Sequence, residues 1–451
     1  MSLKGSLPRS LWSKMQRLYR SGLARGAAGS LALRALYYLL TFAAAILLGR
    51  VLGAREYGHF AYAVSWVVLL NFAATMGLAK LLTRETARNK ALQAWGELRG
   101  VLNWANRTVL VLSVLVTSGG VVFAWVLSDR LGLQAARPLV LAMLIIPFLA
   151  FLTIWQGAIR GLGHVVISLI SRLLIRPLLF VALIIGLALS VELTAEMAVV
   201  VRLASVAVAA LVSMVLLRLY LPQAAKEAPA VSRPSIWLKS GISFMAAGLA
   251  GIANERISVI LVGTLIGGEA TGLYEASRKG AMFVMFLPGA ISTVIAPAVA
   301  RLYASEEHER LQKLVALSVR WGLLGAVCVA AAFVLLGNWF LLLFGEEFLQ
   351  ARALLIMLCL AAVIRVGLGP TSVLLNMTGH ELWTALGAGL GVALNAGIAA
   401  LLIPRWGVEG AGLAYILSTI FYKLFGALAI YRTTGVLAWF GARGQDGTSG
   451  G

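Results

Sequence analysis

The sequence predicts an all-α integral membrane protein of about twelve transmembrane helices, arranged as two six-helix lobes. Three observations predict it. Of 451 residues, 60% are hydrophobic and only 12% charged, with a mean hydropathy of +0.91. A soluble domain carries about 25% charged residues and could not hide so much apolar surface. Apolar runs recur along the whole chain at the length of about 20 residues that a helix needs to cross a bilayer. The second half of the chain also repeats short motifs of the first.

The runs fall at 29–52, 59–82, 108–127, 138–159, 165–189, 195–217, 240–266, 272–299, 319–344, 351–374, 382–403 and 409–431. An even number puts both ends on one side of the membrane. Cytoplasmic loops carry the Lys and Arg excess, and the cations follow spans 2, 6 and 8: Arg84, Arg88, Lys90, Arg99 and Arg107; Arg218, Lys226, Arg233 and Lys239; Arg301, Arg310, Lys313 and Arg320. The opposite loops are short and hold Glu192, Glu196, Glu269, Glu346 and Glu347, with Arg50, Arg55, Arg130, Arg137 and Arg405 as exceptions. Residues 1–28, with Lys4, Arg9, Lys14, Arg17, Arg20 and Arg25 and no acid, read as a basic cytoplasmic arm rather than a cleaved signal. The expected divisions are this arm, an N-terminal lobe at 29–217, a cytoplasmic linker at 218–239, a C-terminal lobe at 240–432 and a cytoplasmic tail at 433–451. Segment 84–106 spaces Leu92, Trp95, Leu98 and Leu102 among charges and reads as one interfacial amphipathic helix, with a solvated linker as the alternative.

The repeat rests on three matches in order. "VLGAREYGHFAYA" after span 1 echoes "LIGGEATGLYEAS" after span 7, so that Gly53 matches Gly267 and Gly58 matches Gly272. Arg107 at the start of span 3 matches Arg320 at the start of span 9, and Gly163-His164 matches Gly379-His380. The offsets are nearly constant. Because six is even, the two lobes share one orientation and relate by an axis along the membrane normal.

The stretches "LLGRVLGAREYGHFAYA", "NERISVILVGTLIGGEATGLYEASRK", "LPGAISTVIAPAVARLYA", "LFGEEFLQARALLIMLCLA" and "WGVEGAGLAYILST" resemble the polysaccharide transporter family. That family lies within the multidrug/oligosaccharidyl-lipid/polysaccharide exporter superfamily. The resemblance runs from about residue 29 to 432. It implies a MATE-like fold, two lobes facing a central cavity, with alternating access, flipping an undecaprenyl-pyrophosphate-linked oligosaccharide across the bacterial inner membrane for O-antigen or exopolysaccharide assembly. It also implies membrane lipids and polymerase or export machinery as partners, and no nucleic acid. Lipid II flippases of the superfamily usually have fourteen spans, and drug/cation antiporters carry acids buried in their lobes. Here nothing after Arg432 supplies two more spans, and the two aspartates, Asp129 and Asp446, lie outside span interiors.

Ionisable residues inside spans are the sharpest local signal, since a central Arg or Lys costs about 2.5–3.5 kcal/mol on insertion scales. Arg34, Arg172, Arg176, Arg202, Arg256, Arg278, Lys279, Arg365 and Lys423 oppose Glu255 and Glu275. Glu275 can pair with Arg278 and Lys279 on one helical face, which leaves most cations without a carboxylate. A phosphate or acidic sugar fits that surplus, because the planar guanidinium matches phosphate oxygens. Arg34, Arg172, Arg176, Arg278 and Arg365 are accordingly candidate substrate-binding cations, with snorkelling to headgroups as the alternative. Tyr38, Tyr62 and Tyr274 are candidate sugar-stacking residues, against the alternative of an interfacial belt. Glu255, mid-span, is a candidate ion-coupling residue or else a structural ion-pair partner.

Cys328 and Cys359 lie in apolar runs, and His59, His164, His308 and His380 are scattered, so neither metal nor cofactor is expected. No enzyme constellation is legible. A drug/cation antiporter predicts an acid-dominated cavity, and a membrane enzyme of polysaccharide assembly predicts a large external loop with catalytic Arg or His. Both remain alternatives to the flippase.

Overall fold

A computed structural model describes residues 22–435; the ends of the basic arm (1–21) and of the tail (436–451) lie outside the described residues. The described residues are almost entirely helical. In chain order the elements are α1 (Gly22–Thr75), α2 (Leu78–Ala91), α3 (Trp95–Leu131), α4 (Leu133–Met143), α5 (Ile145–Gly161) and α6 (Val165–Ile170). A π turn, Ser171–Ile175, leads into α7 (Arg176–Ala188), followed by α8 (Ala195–Tyr220) and the short α9 (Gln223–Glu227). The second half holds α10 (Pro234–Leu265), α11 (Gly268–Val284), α12 (Phe286–Ala304), α13 (His308–Leu342), a 3-10 turn at Glu346–Ala351, α14 (Arg352–Gly367), α15 (Thr371–Met377) and α16 (Glu381–Thr434).

Nine of the described helical segments are long and apolar enough to cross a membrane. Two of them are long enough for two crossings each. Helices α1 and α16 are each 54 residues long. At 1.5 Å per residue each would extend about 81 Å, far beyond a hydrocarbon core of about 30 Å. Each bends inside, at Gly53 (φ 73°) and at Gly407 (φ 58°), in a backbone region open to glycine. Proline sets several other breaks. It lacks an N–H and its ring clashes with the carbonyl four residues earlier. The residues four before Pro147 and Pro288 are Met143 and Val284, where α4 and α11 end; four before Pro177 is Leu173, inside the π turn.

One expectation is corrected. Segment 84–106 is not one helix: Leu92–Ala94 separate α2 from α3, with Gln93 at φ 54°. Leu78, Leu81, Leu82, Glu85, Thr86 and Asn89 of α2 are buried, so its inner face packs on protein. Helix ends reach into the linker 218–239, since α8 runs to Tyr220 and α10 starts at Pro234. Its remainder docks on α3. The Val231 N–H donates to the Gly96 carbonyl (2.9 Å), Arg99 donates to the Ala228 carbonyl (2.8 Å), and Arg233 pairs with Glu97.

Large apolar side chains such as Trp125 (73% exposed), Leu189 (84%) and Leu335 (78%) stand on the outer surface. In water that would be an aggregation hazard; in lipid it is the expected outer face.

The two halves meet where α1 crosses α11. A Cβ on Gly58 would lie 1.7 Å from the Gly268 carbonyl oxygen, and one on Gly272 would lie 2.1 Å from that of Ala54. The contact is reciprocal: Gly58 and Gly272 are repeat equivalents, and so are Ala54 and Gly268. A two-fold relation between repeats produces this pattern. Backbone torsions repeat as well, with positive φ at Gly53 and Gly267, at Gly132 and Gly345, and at Gly163 and Gly379. Polar contacts extend the seam. Glu347 Oε1 accepts from the Ala54 N–H (2.8 Å) at the Gly53 bend, and Arg50 Nε donates to the Leu343 carbonyl (2.8 Å).

Replacing Gly58 with Leu is therefore expected to destabilise the protein by about 1–3 kcal/mol or more, the usual cost of overpacking, whereas Gly119→Ala, with open space at its Cβ, should be neutral or slightly stabilising. Thermal unfolding in detergent, with monodispersity as a second readout, checks the contrast.

Candidate functional site

A cavity of about 490 Å³ lies between the halves. It starts beside the seam, at Leu48 and Tyr57, and reaches Gly77, Ala79 and Lys80 at the far end of α1 and the start of α2. Its charged lining is unequal. Lys80, Arg172, Arg176, Arg202, Arg256 and Lys279 face two carboxylates, Glu255 and Glu275.

Helix phase decides which α1 residues face it. Tyr37, Thr41, Ala44, Ala45 and Leu48 line the cavity at steps of three and four residues. Tyr38, one position on, is turned about 100° away; it is 48% exposed and meets the edge of Phe286 at 6.5 Å between centroids. The neighbour that lines the cavity is Tyr37, whose hydroxyl accepts from Arg176 Nη2 (3.3 Å).

Arg176 is the first residue of α7 and is buried, while Arg172 sits in the π turn before it and remains accessible. Isolated π turns are frequent at functional sites, and Pro177 supplies the local reason for this one. Arg202 of α8 lies over the Phe180 ring at 5.5 Å, a cation–π contact that replaces part of its lost hydration. Among the described residues none of these three arginines has a carboxylate within 4 Å.

The opposite wall is different. Glu275 is held from both oxygens by Arg278, whose Nε and Nη2 each donate at 2.7 Å, and Lys279 Nζ lies 3.6 Å away. Glu255 is exposed on the cavity side of α10 and has no ion pair within 4 Å among the described residues, although it lies in the field of Arg256, Arg278 and Arg365.

The structure thus brings Arg172 and Arg176 together with Glu255 around one cavity and separates the other sequence candidates. Arg278 stands behind the wall, committed to Glu275. Arg34 is exposed near the start of the described part of α1 and does not line the cavity. Arg365 lies by Tyr415 and Tyr422 in the second half, and the nearby Lys423 is buried with its Nζ donating to the Gly369 carbonyl (2.6 Å) at the break between α14 and α15. Tyr62 and Tyr274 are each 2% exposed. The Tyr62 hydroxyl bonds Thr264 Oγ1 (3.0 Å) and its ring covers Gly263, and Tyr274 is packed in the core of the second half, with no open face to offer a sugar. Sequence reasoning counts Arg202, Arg256 and Lys279 as in-span cations without placing them in the cavity. Tyr37 is missed because Tyr38 aligns equally well with Arg34.

The sequence profile of the polysaccharide biosynthesis protein family matches residues 23–303. The chain belongs to that family. No curated protein sequence matches it. Among solved structures, an inward-facing multidrug resistance MATE family transporter of the MOP superfamily superposes with a TM-score of 0.76 at 14% identity, over 88% of this chain and 96% of that one. The lipid II flippase MurJ in an inward closed conformation superposes at 0.65 with 12% identity, over 90% and 87%. A third, a eukaryotic MATE transporter, gives 0.60 at 17% identity, over 90% and 94%. At these identities the likeness is one of fold. This family member is a multi-pass membrane protein with the all-α architecture of MOP superfamily transporters.

Removing one partner of the buried pair leaves the other charge uncompensated, so Arg278→Met should cost about 3–5 kcal/mol. Glu275→Gln in the same chain should restore part of that loss. A double-mutant cycle on thermal unfolding in detergent measures the coupling.

Proposed function

We propose that the protein is a flippase, without covalent chemistry, for an oligosaccharide linked to a polyprenyl pyrophosphate of the undecaprenyl type. It would move that substrate by alternating access across a bacterial inner membrane for O-antigen or exopolysaccharide assembly, with polymerase or export machinery as downstream partners. The observation that carries the reading is the group of in-membrane arginines, Arg172, Arg176 and Arg202, lining the cavity with no carboxylate partner among the described residues. Such charges are costly unless a ligand or water answers them, and a pyrophosphate supplies both the charge and the oxygens for bidentate contacts. Membership of a polysaccharide biosynthesis family agrees with the sugar part. Phe72 and Phe244, half-buried on the cavity wall, offer the aromatic faces for sugar rings.

In this reading the Gly77 end of the cavity and both termini face the cytoplasm, as the distribution of Lys and Arg suggests. The bends at Gly53 and Gly407 each separate two passes, and two six-helix lobes move against each other. Arg34 serves the cytoplasmic mouth, while Arg278 and Arg365 organise the second wall instead of touching the headgroup.

One observation favours a second reading, a drug/cation antiporter: Glu255 presents a carboxylate to the cavity of a fold that multidrug transporters also use. The two readings separate in proteoliposomes. The flippase reading expects transfer of a lipid-linked oligosaccharide that Arg172→Ala with Arg176→Ala abolishes at unchanged protein level, and no extrusion of cationic dyes. Dye extrusion that survives this double substitution and is lost in Glu255→Gln would reverse the assignment.

Energy input is tested in the same vesicles. An outward-moving anion gains about 2.3 kcal/mol per charge per 100 mV from an inside-negative potential, so no coupling acid is required. If Glu255 couples transport to an ion, Glu255→Gln should lose the response to an imposed proton or sodium gradient and keep the response to potential. Wild-type responses to all three would make Glu255 structural.

A further inference from the structure

The halves face each other along two edges that are repeat equivalents, yet the two are built differently. One edge sets the second limb of α1 (54–75) and α2 against α10; the other sets the first limb of α1 (22–52) against α11 and α12. The first edge is closed along its whole length. At the seam end a Cβ on Gly263 would lie 2.2 Å from the Tyr62 ring, and the Tyr62 hydroxyl bonds Thr264. Farther along, a Cβ on Gly248 would lie 2.4 Å from the Phe72 ring, one on Gly77 would lie 2.7 Å from Phe244 Cβ, and one on Gly241 would lie 3.2 Å from the Met76 carbonyl oxygen. At the Gly77 end Arg84 donates to Ser240 Oγ (3.1 Å) and lies over the Phe244 ring, while Trp104 meets Trp237 at 5.5 Å between centroids. From Ser240 to Thr264 the helix rises about 36 Å at 1.5 Å per residue, more than a hydrocarbon core of about 30 Å.

The other edge lacks these small residues. At the 214-residue offset that relates Gly53 to Gly267, Gly248 corresponds to Arg34, Thr264 to Arg50, Gly77 to Ile291 and Tyr62 to Ala276. Near the seam this edge is held by rings. Phe42 meets Phe283 at 4.9 Å and Phe340 at 5.8 Å between centroids. Toward the Gly77 end the edge parts: Tyr38 reaches only the edge of Phe286 (6.5 Å), and Arg34, Tyr38, Leu39 and Phe286 are all exposed. Two bodies joined along one edge at every depth, and parted along the other at one end, form a wedge. Association of membrane helices depends on the close backbone approach that small residues allow, whereas phenylalanine rings accept several offset and edge geometries.

We infer that the contact of α10 with α2 and the second limb of α1 is a hinge edge that stays closed through the transport cycle, and that the cavity opens and closes only along the opposite edge, where Phe42, Phe283 and Phe340 form a clasp. This hinge rests on the alternating-access part of the proposed function and adds to it which edge stays shut. The free edge parts at the Gly77 end in one state, as here, and at the clasp in the other. Packed interfaces of this kind switch between discrete arrangements instead of deforming continuously. The linker travels with the first half, because Val231 and Ala228 are bonded to α3.

The test bridges each edge chemically in the full chain carrying Cys328→Ala and Cys359→Ala. Tyr62→Cys with Gly263→Cys, and Met76→Cys with Gly241→Cys, place thiol pairs on the hinge edge; Phe42→Cys with Phe283→Cys places one on the clasp. A short bis-methanethiosulfonate closes each pair and a reductant reopens it. Flipping is followed in proteoliposomes with undecaprenyl diphosphate bearing a labelled N-acetylglucosamine as probe. Bridging both hinge pairs should leave flipping within about twofold of the reduced chain, and bridging the clasp should lower it about tenfold or more, as expected when a conformational step is blocked. Recovery on reduction separates a blocked motion from a misfolded chain, and the Met76–Gly241 pair alone serves where Tyr62→Cys fails to fold. Equal loss from hinge and clasp bridges, or full flipping with the clasp bridged, overturns the hinge. Spin labels supply a readout that needs no substrate. In nanodiscs the distance between labels at Ala73→Cys and Leu249→Cys, beside the hinge edge, should be single and narrow, and that between Leu39→Cys and Phe286→Cys broad or bimodal, since both states are sampled at rest. A broad distribution on the hinge edge, or narrow ones on both edges, overturns the hinge. If the distances behave as expected while the reduced chain flips nothing, the flippase reading falls and the hinge stands.

Discussion

Everything about this cavity depends on how closely two backbones approach at the seam. Gly58 lies on the backbone of Gly268 and Gly272, and Gly272 on that of Ala54, with no room for a side chain. Between membrane helices there is little hydrophobic drive to associate, since lipid is as apolar as leucine; close van der Waals packing across small residues takes its place. The seam closes one end of the space between the halves and leaves the walls apart beyond Leu48 and Tyr57. Glu347, accepting the Ala54 N–H at the Gly53 bend, ties a loop of the second half to the turn that positions α1. Tyr37, about four turns along α1 from that bend, owes its place in the cavity to the same geometry.

Electrostatics then divides labour between the walls. Burying an ion pair stabilises little unless its geometry is good, and Arg278 meets that demand on Glu275 with two donors at 2.7 Å. Glu275 of the second wall is thereby answered without substrate. The first-wall arginines have no such carboxylate among the described residues. Arg202 is answered by the Phe180 ring and Arg176 by a tyrosine hydroxyl, neither of which carries a compensating charge. A wall held in this condition costs stability that a ligand with several anionic oxygens would offset.

Much of this was legible in the residues, for definite reasons. Lipid demands apolar spans with satisfied backbones, so membrane class, the repeat and its turn glycines at Gly53 and Gly267 could be read directly. The pairing of Glu275 with Arg278 follows from helical spacing. Other features were not local. Tyr37 and Tyr38 are adjacent, and only the packing of α1 against its neighbours says which one turns inward. Tyr62 and Tyr274 look alike in sequence to exposed aromatic residues, yet each is covered by partners that the local sequence does not announce, such as Thr264 for Tyr62 and Asn395-bonded Ser258 for Tyr274. The helix expected over 84–106 is interrupted at Leu92–Ala94, and α2 packs on α5 through the glycines Gly157 and Gly161, a contact that amphipathic spacing does not encode.

By itself, then, the sequence determined the solvent this chain folds in, the helical content, the two-part repeat and the excess of in-membrane cations, because hydropathy, turn chemistry and charge are properties of residues in order. Only the tertiary structure decided that α1 and α16 each run on through a glycine bend, and that Arg172, Arg176 and Arg202 share one wall while Arg278 and Arg365 do not. Those outcomes follow from helix phase and from which backbones can touch, and both are set between segments distant in the chain.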